Sequence, residues 1–251
     1  MIPPCYVISL NKTLGKQGEA LKKAGLDPIL FEGVNAKKYE HVYYESMFHK
    51  FFKKIMFNGA KGCSLSHQLL CEKLYNDEVE VALILEDDAY PFENIELNQE
   101  IEKVLDEVPQ DWDIIRLHCD SWCKNNSNTV KPNDASAAAY LISRQGITKS
   151  KNSSIKFSVD NQQNIEMNTY KSKNNLFFTD EKESTLRSVH EIYIFEPFLN
   201  FLFPIKNGEK TWNTKLNHKL LKLGNSEVRT IDIISFIFVV IGLIIFYYIN
   251  K

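Results

Sequence analysis

Three consecutive carboxylates end an otherwise apolar run in Leu83-Ile84-Leu85-Glu86-Asp87-Asp88, and this is the grouping best suited to chemistry. Charges crowded at the end of a hydrophobic strand repel one another unless a cation or hydrogen-bond donors neutralise them. A hard divalent ion, Mn²⁺ or Mg²⁺, suits the position, because it takes oxygen ligands, keeps open places for water and bridges diphosphate oxygens. Side chains alternate along a strand, so Glu86 and Asp88 share one face and can converge on a metal, while Asp87 points to the other. The bland alternative is that these acids cap a following helix or mark a solvated turn.

A second grouping, Gly62-Cys63-Ser64-Leu65-Ser66-His67, stands at the expected start of a helix over residues 61–75. Backbone N–H groups at a helix start favour an anion, which makes Gly62 and Ser66 candidates for cofactor binding and His67 a candidate for hydrogen bonding or proton transfer. A core-packed cysteine beside a satisfied histidine is the plainer reading.

The elements that must position these residues follow from periodicity. Residues 6–10 are an apolar run, Leu14, Ala20, Leu21 and Ala24 have helical spacing that stops at Gly25, and residues 28–31 are a second run. A β-α-β opening of this kind begins a nucleotide-binding α/β sheet. Residues 79–85 predict a strand covered on both faces, 98–108 a helix closed by Pro109, and 112–117 and 135–142 two more strands. Residues 39–58 and the Asn-rich stretch 149–175 read as loops, the second as a surface or acceptor-facing flap. Residues 206–229 read as a polar linker or juxtamembrane helix. The organisation expected is a catalytic domain over 1–205, a linker over 206–230 and a membrane helix over 231–249.

That last segment carries a single charge, Asp232, and is close to the length that crosses a bilayer. A buried core helix or strand pair is its alternative. As a membrane span at the C-terminus it predicts a tail anchor, with no signal peptide at the N-terminus and the folded domain on the cytosolic side of a cellular or viral membrane. The formal net charge of -2 and pI near 6.3 argue against nucleic acid as a partner, since that needs a clustered basic surface. The five cysteines are too few for a disulfide scaffold and read as free thiols. Cys119 and Cys123 beside His118 suggest zinc, but no second pair of ligands completes a structural site.

Taken together these segments resemble glycosyltransferase family 25, the group that includes bacterial lipooligosaccharide and collagen galactosyltransferases. The resemblance rests on the opening strand Tyr6 to Asn11, the Gly-Cys-x-x-Ser-His pattern of Gly62 to His67, and Leu85-Glu86-Asp87-Asp88, in that order. Asp111-Trp112-Asp113 and Ala138-Ala139-Tyr140 extend it, so that it spans about residues 4–188. It implies a GT-A fold, related to the Rossmann type, with a mixed central sheet and a nucleotide-sugar donor. Glu86 and Asp88 would hold Mn²⁺ or Mg²⁺, Asp87 would support the donor ribose or neighbouring backbone, and Ser9 and Asn11 would lie at the donor. An inverting transfer needs one base for the acceptor hydroxyl. Asp160, which stands where the family has an aspartate, is the first candidate and His67 the second; a solvated loop carboxylate is the plain reading of Asp160.

The activity implied is hexose transfer, best from UDP-galactose, to a glycan, lipid-linked or protein hydroxyl. The chain departs from the family at Asn11-Lys12, where Asp-Arg is usual, and at Asp180, where a Gln precedes a Ser-Thr pair matched here by Ser184-Thr185. Those departures support an alternative, a catalytically silent membrane-tethered domain that binds a glycan or protein. A phosphoryl-transfer enzyme is disfavoured because no Gly-rich Walker loop is present.

Overall fold

The opening β-α-β forms as Cys5–Ser9 (β1), Gly15–Lys23 (α1) and Pro28–Glu32 (β2), with the two strands parallel, in a computed structural model. The structure describes residues 2–35, 42–50, 56, 58–118, 136–180, 219–223 and 226–229. Gly25 ends α1 with φ at 82°; its N–H donates to the Lys22 carbonyl and that of Leu26 to Leu21, both at 3.0 Å. A left-handed residue is needed at this cap, which is why glycine stands there.

Downstream come Val42–Met47 (α2), Asn58–Asn76 (α3), Val81–Glu86 (β3), Ala89–Pro91 (β4), Leu97–Glu107 (α4), Ile114–Arg116 (β5), Ala139–Ser143 (β6), Arg144–Asn152 (α5), Val159–Glu166 (α6), Thr169–Lys171 (β7) and Phe177–Thr179 (β8). The central sheet has the order β2-β1-β3-β6-β5-β7. β6 is antiparallel to β3 and β5 while the other pairings are parallel, so the fold is α/β with a mixed sheet. β4 and β8 pair separately and antiparallel.

Alternation divides the sheet residues between two cores. Val7, Leu83, Leu85, Ile115 and Leu141 pack with Leu21 of α1 and with Leu97, Ile101 and Val104 of α4. Tyr6, Ile8, Ile84, Ile114, Tyr140 and Ile142 pack with Leu70, Cys71 and Leu74 of α3 and Ile147 of α5. Ala82 to Leu85 are fully buried, as a strand covered on both faces requires. Each large apolar side chain so buried contributes about 1.5–3 kcal/mol. Local hydrogen bonds fix the joints: Ser143 caps α5 by accepting from Gly146 N–H at 3.2 Å and donates to the Trp112 carbonyl at 2.9 Å. Asp113, fully buried, accepts from Asn168 N–H at 2.8 Å and pairs with Lys149 of α5. A side chain at Gly146 would sit 2.5 Å from the Asp113 carbonyl, so only glycine lets α5 approach the sheet.

Four expectations are corrected. The stretch 149–175 is no flap: it holds the end of α5, all of α6 and β7, a buried edge strand whose Thr-Tyr-Lys composition hides it from any hydropathy reading. Within 39–58, which read as loop, residues 42–47 are helical. α3 starts at Asn58, a turn earlier than expected, because Asn58-Gly59-Ala60 continues the helix. The chain divides into two units, 1–188 and 189–251, and in the second Lys219–Leu223 (β9) and Ser226–Arg229 (β10) form an antiparallel pair instead of a linker or helix. The Gly224-Asn225 dipeptide between them in sequence is a hairpin signal. No helix among the described residues is long and apolar enough to cross a membrane. The expected span over 231–249, Cys119, Cys123 and Ser184-Thr185 lie outside the described residues.

Candidate functional site

β3 emerges from the core at Glu86, and the chain turns through Asp87 and Asp88 before β4 begins at Ala89. Strands β1, β3, β5 and β7 all run toward this edge, where open α/β sheets bind their ligands. Gln17 of α1, itself buried, locks the turn by donating from Nε2 to the carbonyls of Glu86 and Ala89, each at 2.7 Å.

Glu86 points toward α3. Its Oε1 lies 3.2 Å from His67 Nε2 and accepts from Cys63 Sγ at 3.2 Å. His67 Nδ1 is 2.7 Å from the Tyr140 hydroxyl, and the two rings stack. The side chain of His67 is 2% exposed and that of Glu86 18%, so Glu86 is the more open member of the pair. Burial alone would push the Glu86 carboxyl up; the hydrogen bonds from His67 and Cys63 and the Arg116 charge outweigh it and hold the group below the usual carboxylate range. Glu86 is therefore ionised at neutral pH.

Arg116, at the end of β5, is fully buried, with its Cζ 5.6 Å from the centre of the Tyr140 ring. Nη2 donates to the Asp160 carbonyl at 3.3 Å and to Asn164 Oδ1 at 3.4 Å, both on α6. Register brings Tyr140 beside Arg116 and Arg116 beside Lys171, which is also buried, so one row across the sheet carries a phenol and two cations.

Asp87 turns to the opposite side, as alternation requires, and accepts from the Ser9 hydroxyl at 2.8 Å; the same hydroxyl accepts from Asn11 N–H at 2.9 Å. Ser9, Asn11 and Asp87 are thus one hydrogen-bonded group across the ends of β1 and β3. The side chain of Asp88 is buried, and its carbonyl accepts from Asp180 N–H at 2.8 Å. Asp160, in the first turn of α6, is half-buried. Burial first, then the charges of Glu86, Asp160 and Asp88, push the Cys63 thiol well above its ordinary range. Cys63 therefore marks a point on which three of the expected site carboxylates act.

Two expectations change in their physical basis. Gly62 and Ser66 stand inside α3 and not at its start, so their backbone N–H groups belong to the helix ladder and present no anion site. The Ser66 hydroxyl donates to the Gly62 carbonyl at 2.7 Å and accepts from Val34 N–H at 2.7 Å, pinning the loop after β2. His67 is enclosed with both ring nitrogens engaged, which fits a residue that positions Glu86 better than one that takes a proton from an incoming hydroxyl. Sequence reasoning gave no site role to Arg116, Tyr140 or Gln17, and its plainer reading of Cys63 was a core-packed cysteine beside a satisfied histidine. Arg116 had a visible signal, a lone charge in the apolar run Ile114 to Leu117; Gln17, mid-helix among polar residues, had none.

The chain is similar to several solved structures. A197 from STIV shares 13% identity with a TM-score of 0.41, covering 72% of this chain and 87% of that one. A glycosyltransferase involved in glycosylation of the major capsid of PBCV-1 shares 16% at 0.33, covering 59% and 64%. A Drosophila β-1,4-galactosyltransferase 7 mutant, in complex with manganese, UDP-Gal and xylobiose, shares 11% at 0.35, covering 86% and 78%. No curated protein sequence matches the chain. The model of glycosyltransferase family 25 (LPS biosynthesis protein) matches residues 2–175, more than half of the chain. That span contains the acidic strand end, the helix behind it and every strand of the central sheet, and the chain belongs to glycosyltransferase family 25.

Proposed function

We propose that this chain is an inverting, metal-dependent hexosyltransferase of the GT-A type, moving galactose from UDP-galactose to a hydroxyl of a glycan, a lipid-linked saccharide or a protein. The observation that carries the reading is the end of β3: an ionised, partly exposed Glu86 held by Cys63 and His67, with Asp88 two residues on and the charges of Asp88 and Asp160 both felt at the Cys63 thiol. An all-oxygen donor set of this charge fits Mn²⁺ or Mg²⁺ held by Glu86 and Asp88. Such an ion supplies neutralisation of the charge that develops on the leaving diphosphate.

The chain's own residues do the rest. His67, Cys63 and Arg116 keep Glu86 ionised and fixed in direction. Ser9 and the Asn11 N–H hold the Ser9–Asp87 pair in place to support the donor ribose. Asp160, tethered through its carbonyl to Arg116, takes the proton of the acceptor hydroxyl as that oxygen attacks the anomeric carbon. Attachment to a cellular or viral membrane through residues 231–249, with the domain on the cytosolic side, completes the proposal; its support is the apolar composition of that segment.

The test is release of UDP by the full chain in detergent, over a panel of UDP-hexoses with and without Mn²⁺. Turnover that is greatest with UDP-galactose, requires Mn²⁺ and falls at least about 10²-fold in Asp88→Ala is expected, the scale of losing a preorganised electrostatic contact. Metal-independent turnover would refute the metal assignment. If no nucleotide sugar is hydrolysed or raises the melting temperature, the chain is a silent member of its family.

A further inference from the structure

Cys63 and His67 stand four residues apart on α3, so both side chains leave the helix on one face, and Glu86 meets them from the end of β3. The thiol sulfur and His67 Nε2 each lie 3.2 Å from Glu86 Oε1, and the three atoms fall within 4.8 Å of one another. Metal bonds of about 2.3 Å to sulfur and about 2.0 Å to nitrogen and oxygen set tetrahedral ligand atoms roughly 3.3–3.6 Å apart, close to the two edges of this triangle that meet at Glu86.

The surroundings suit a metal-bound imidazole. A ligating histidine is oriented by a partner on its other nitrogen, and here the buried Tyr140 hydroxyl lies 2.7 Å from Nδ1. With the proton on Nδ1 the Nε2 lone pair faces Cys63 and Glu86. The phenol then needs a new acceptor, and Gln163, which hydrogen-bonds the same phenol, has a buried Oε1 with no partner among the described residues. Turning that amide supplies the acceptor. A sulfur, nitrogen and carboxylate donor set selects a thiophilic tetrahedral ion over the oxygen-seeking ion of the donor site.

We propose that Cys63, His67 and Glu86 form a three-ligand site for Zn²⁺ or an ion of its class, with the fourth position open to water. Binding sends the Cys63 thiol proton to solvent, so each ion displaces that proton. The ion also occupies the Glu86 oxygen and so switches off transfer; this last consequence alone rests on the function proposed above.

Co²⁺ titration of the full chain tests the site. A thiolate-to-cobalt absorption band saturating at one ion per chain is expected, with proton release, bleaching by Zn²⁺, and loss of the band in Cys63→Ser, whose metal-free melting curve verifies its fold. Tyr140→Phe should retain the band but weaken binding about 10- to 100-fold, as loss of an outer partner does. A folded wild-type chain without the band, or a band that survives Cys63→Ser and disappears in Cys119→Ser, overturns the site. For the consequence, Zn²⁺ should inhibit Mn²⁺-supported UDP release in wild type, and at least tenfold less in Cys63→Ser, each measured against its own zinc-free rate. Equal inhibition overturns the switch, whereas absent UDP release with an intact cobalt band sinks the transferase reading and leaves the site standing.

Discussion

The two faces of the central sheet are built from the same strands and differ in what lies at their row nearest the functional edge. Toward α1 and α4 the strands bury Val7, Leu83, Leu85, Ile115 and Leu141, an apolar layer nearly to the strand ends. Toward α3 the same strands bury Ile84 and Ile114 but also Tyr140, Arg116 and Lys171, with His67 descending from the helix to meet Glu86. One face is held by packing that tolerates conservative change. The other contains charges in a low-dielectric setting, each of which has to be answered by a partner. The polar row lies directly behind the acids that do the proposed chemistry, so stability and function are coupled on one face and separable on the other.

Replacing the buried guanidinium should break this arrangement most severely. Arg116→Met leaves an apolar chain of similar length, yet removes the hydrogen bonds to the Asp160 carbonyl and Asn164 Oδ1 and the charge that favours ionised Glu86. Taking away one member of a buried charged set costs about 3–5 kcal/mol, which chemical denaturation will measure directly. A loss below about 1 kcal/mol would mean that Arg116 is a passenger and that the two faces do not differ in kind.

The apolar face was legible in the sequence almost residue by residue, because periodicity reports burial. Leu83 to Leu85, the helix around Ile101 and the stop at Gly25 all follow from it. The acids were legible too, since three carboxylates at a strand end are conspicuous, and the split of Asp87 from Glu86 follows from alternation. The polar row was not. Tyr140 and Arg116 sit in short strands where nothing local says that they meet His67, and β7 has a composition that reads as loop; their relation depends on a register between β3, β6, β5 and β7 that no single segment encodes. The start of α3 was misjudged by one turn, enough to turn interior residues into an apparent anion site.

His67→Leu is the next largest perturbation and it carries a pH signature. In the wild-type fold Glu86 titrates below its ordinary range, so as pH falls the unfolded chain binds the proton first. The stabilisation is therefore complete above the ordinary carboxylate range and is lost as pH falls through the depressed folded value. Without the imidazole, burial is opposed only by Cys63 and Arg116, and the carboxyl moves up. We expect a deficit of about 2 kcal/mol at neutral pH, the scale of a hydrogen bond to a charged group. That deficit should shrink as pH is lowered, because protonation now relieves the buried charge. A deficit that is constant with pH would assign His67 to packing alone.

The smallest effect belongs to the opposite face. Ile101→Val removes one buried methylene from α4 against Leu83 and its neighbours, and should cost about 1 kcal/mol, or roughly 2–4 °C in Tm. Its value lies in what should not change: UDP release per folded molecule, and the acid dependence set by Glu86, ought to match wild type, because Ile101 packs in the apolar cluster with Leu83 and Leu85 and not in the one that holds Tyr140. If Ile101→Val alters the acid limb or the Mn²⁺ requirement, strain crosses the sheet, and β3, which carries Leu83 and Leu85 to one side and Glu86 to the other, is the element through which it must pass.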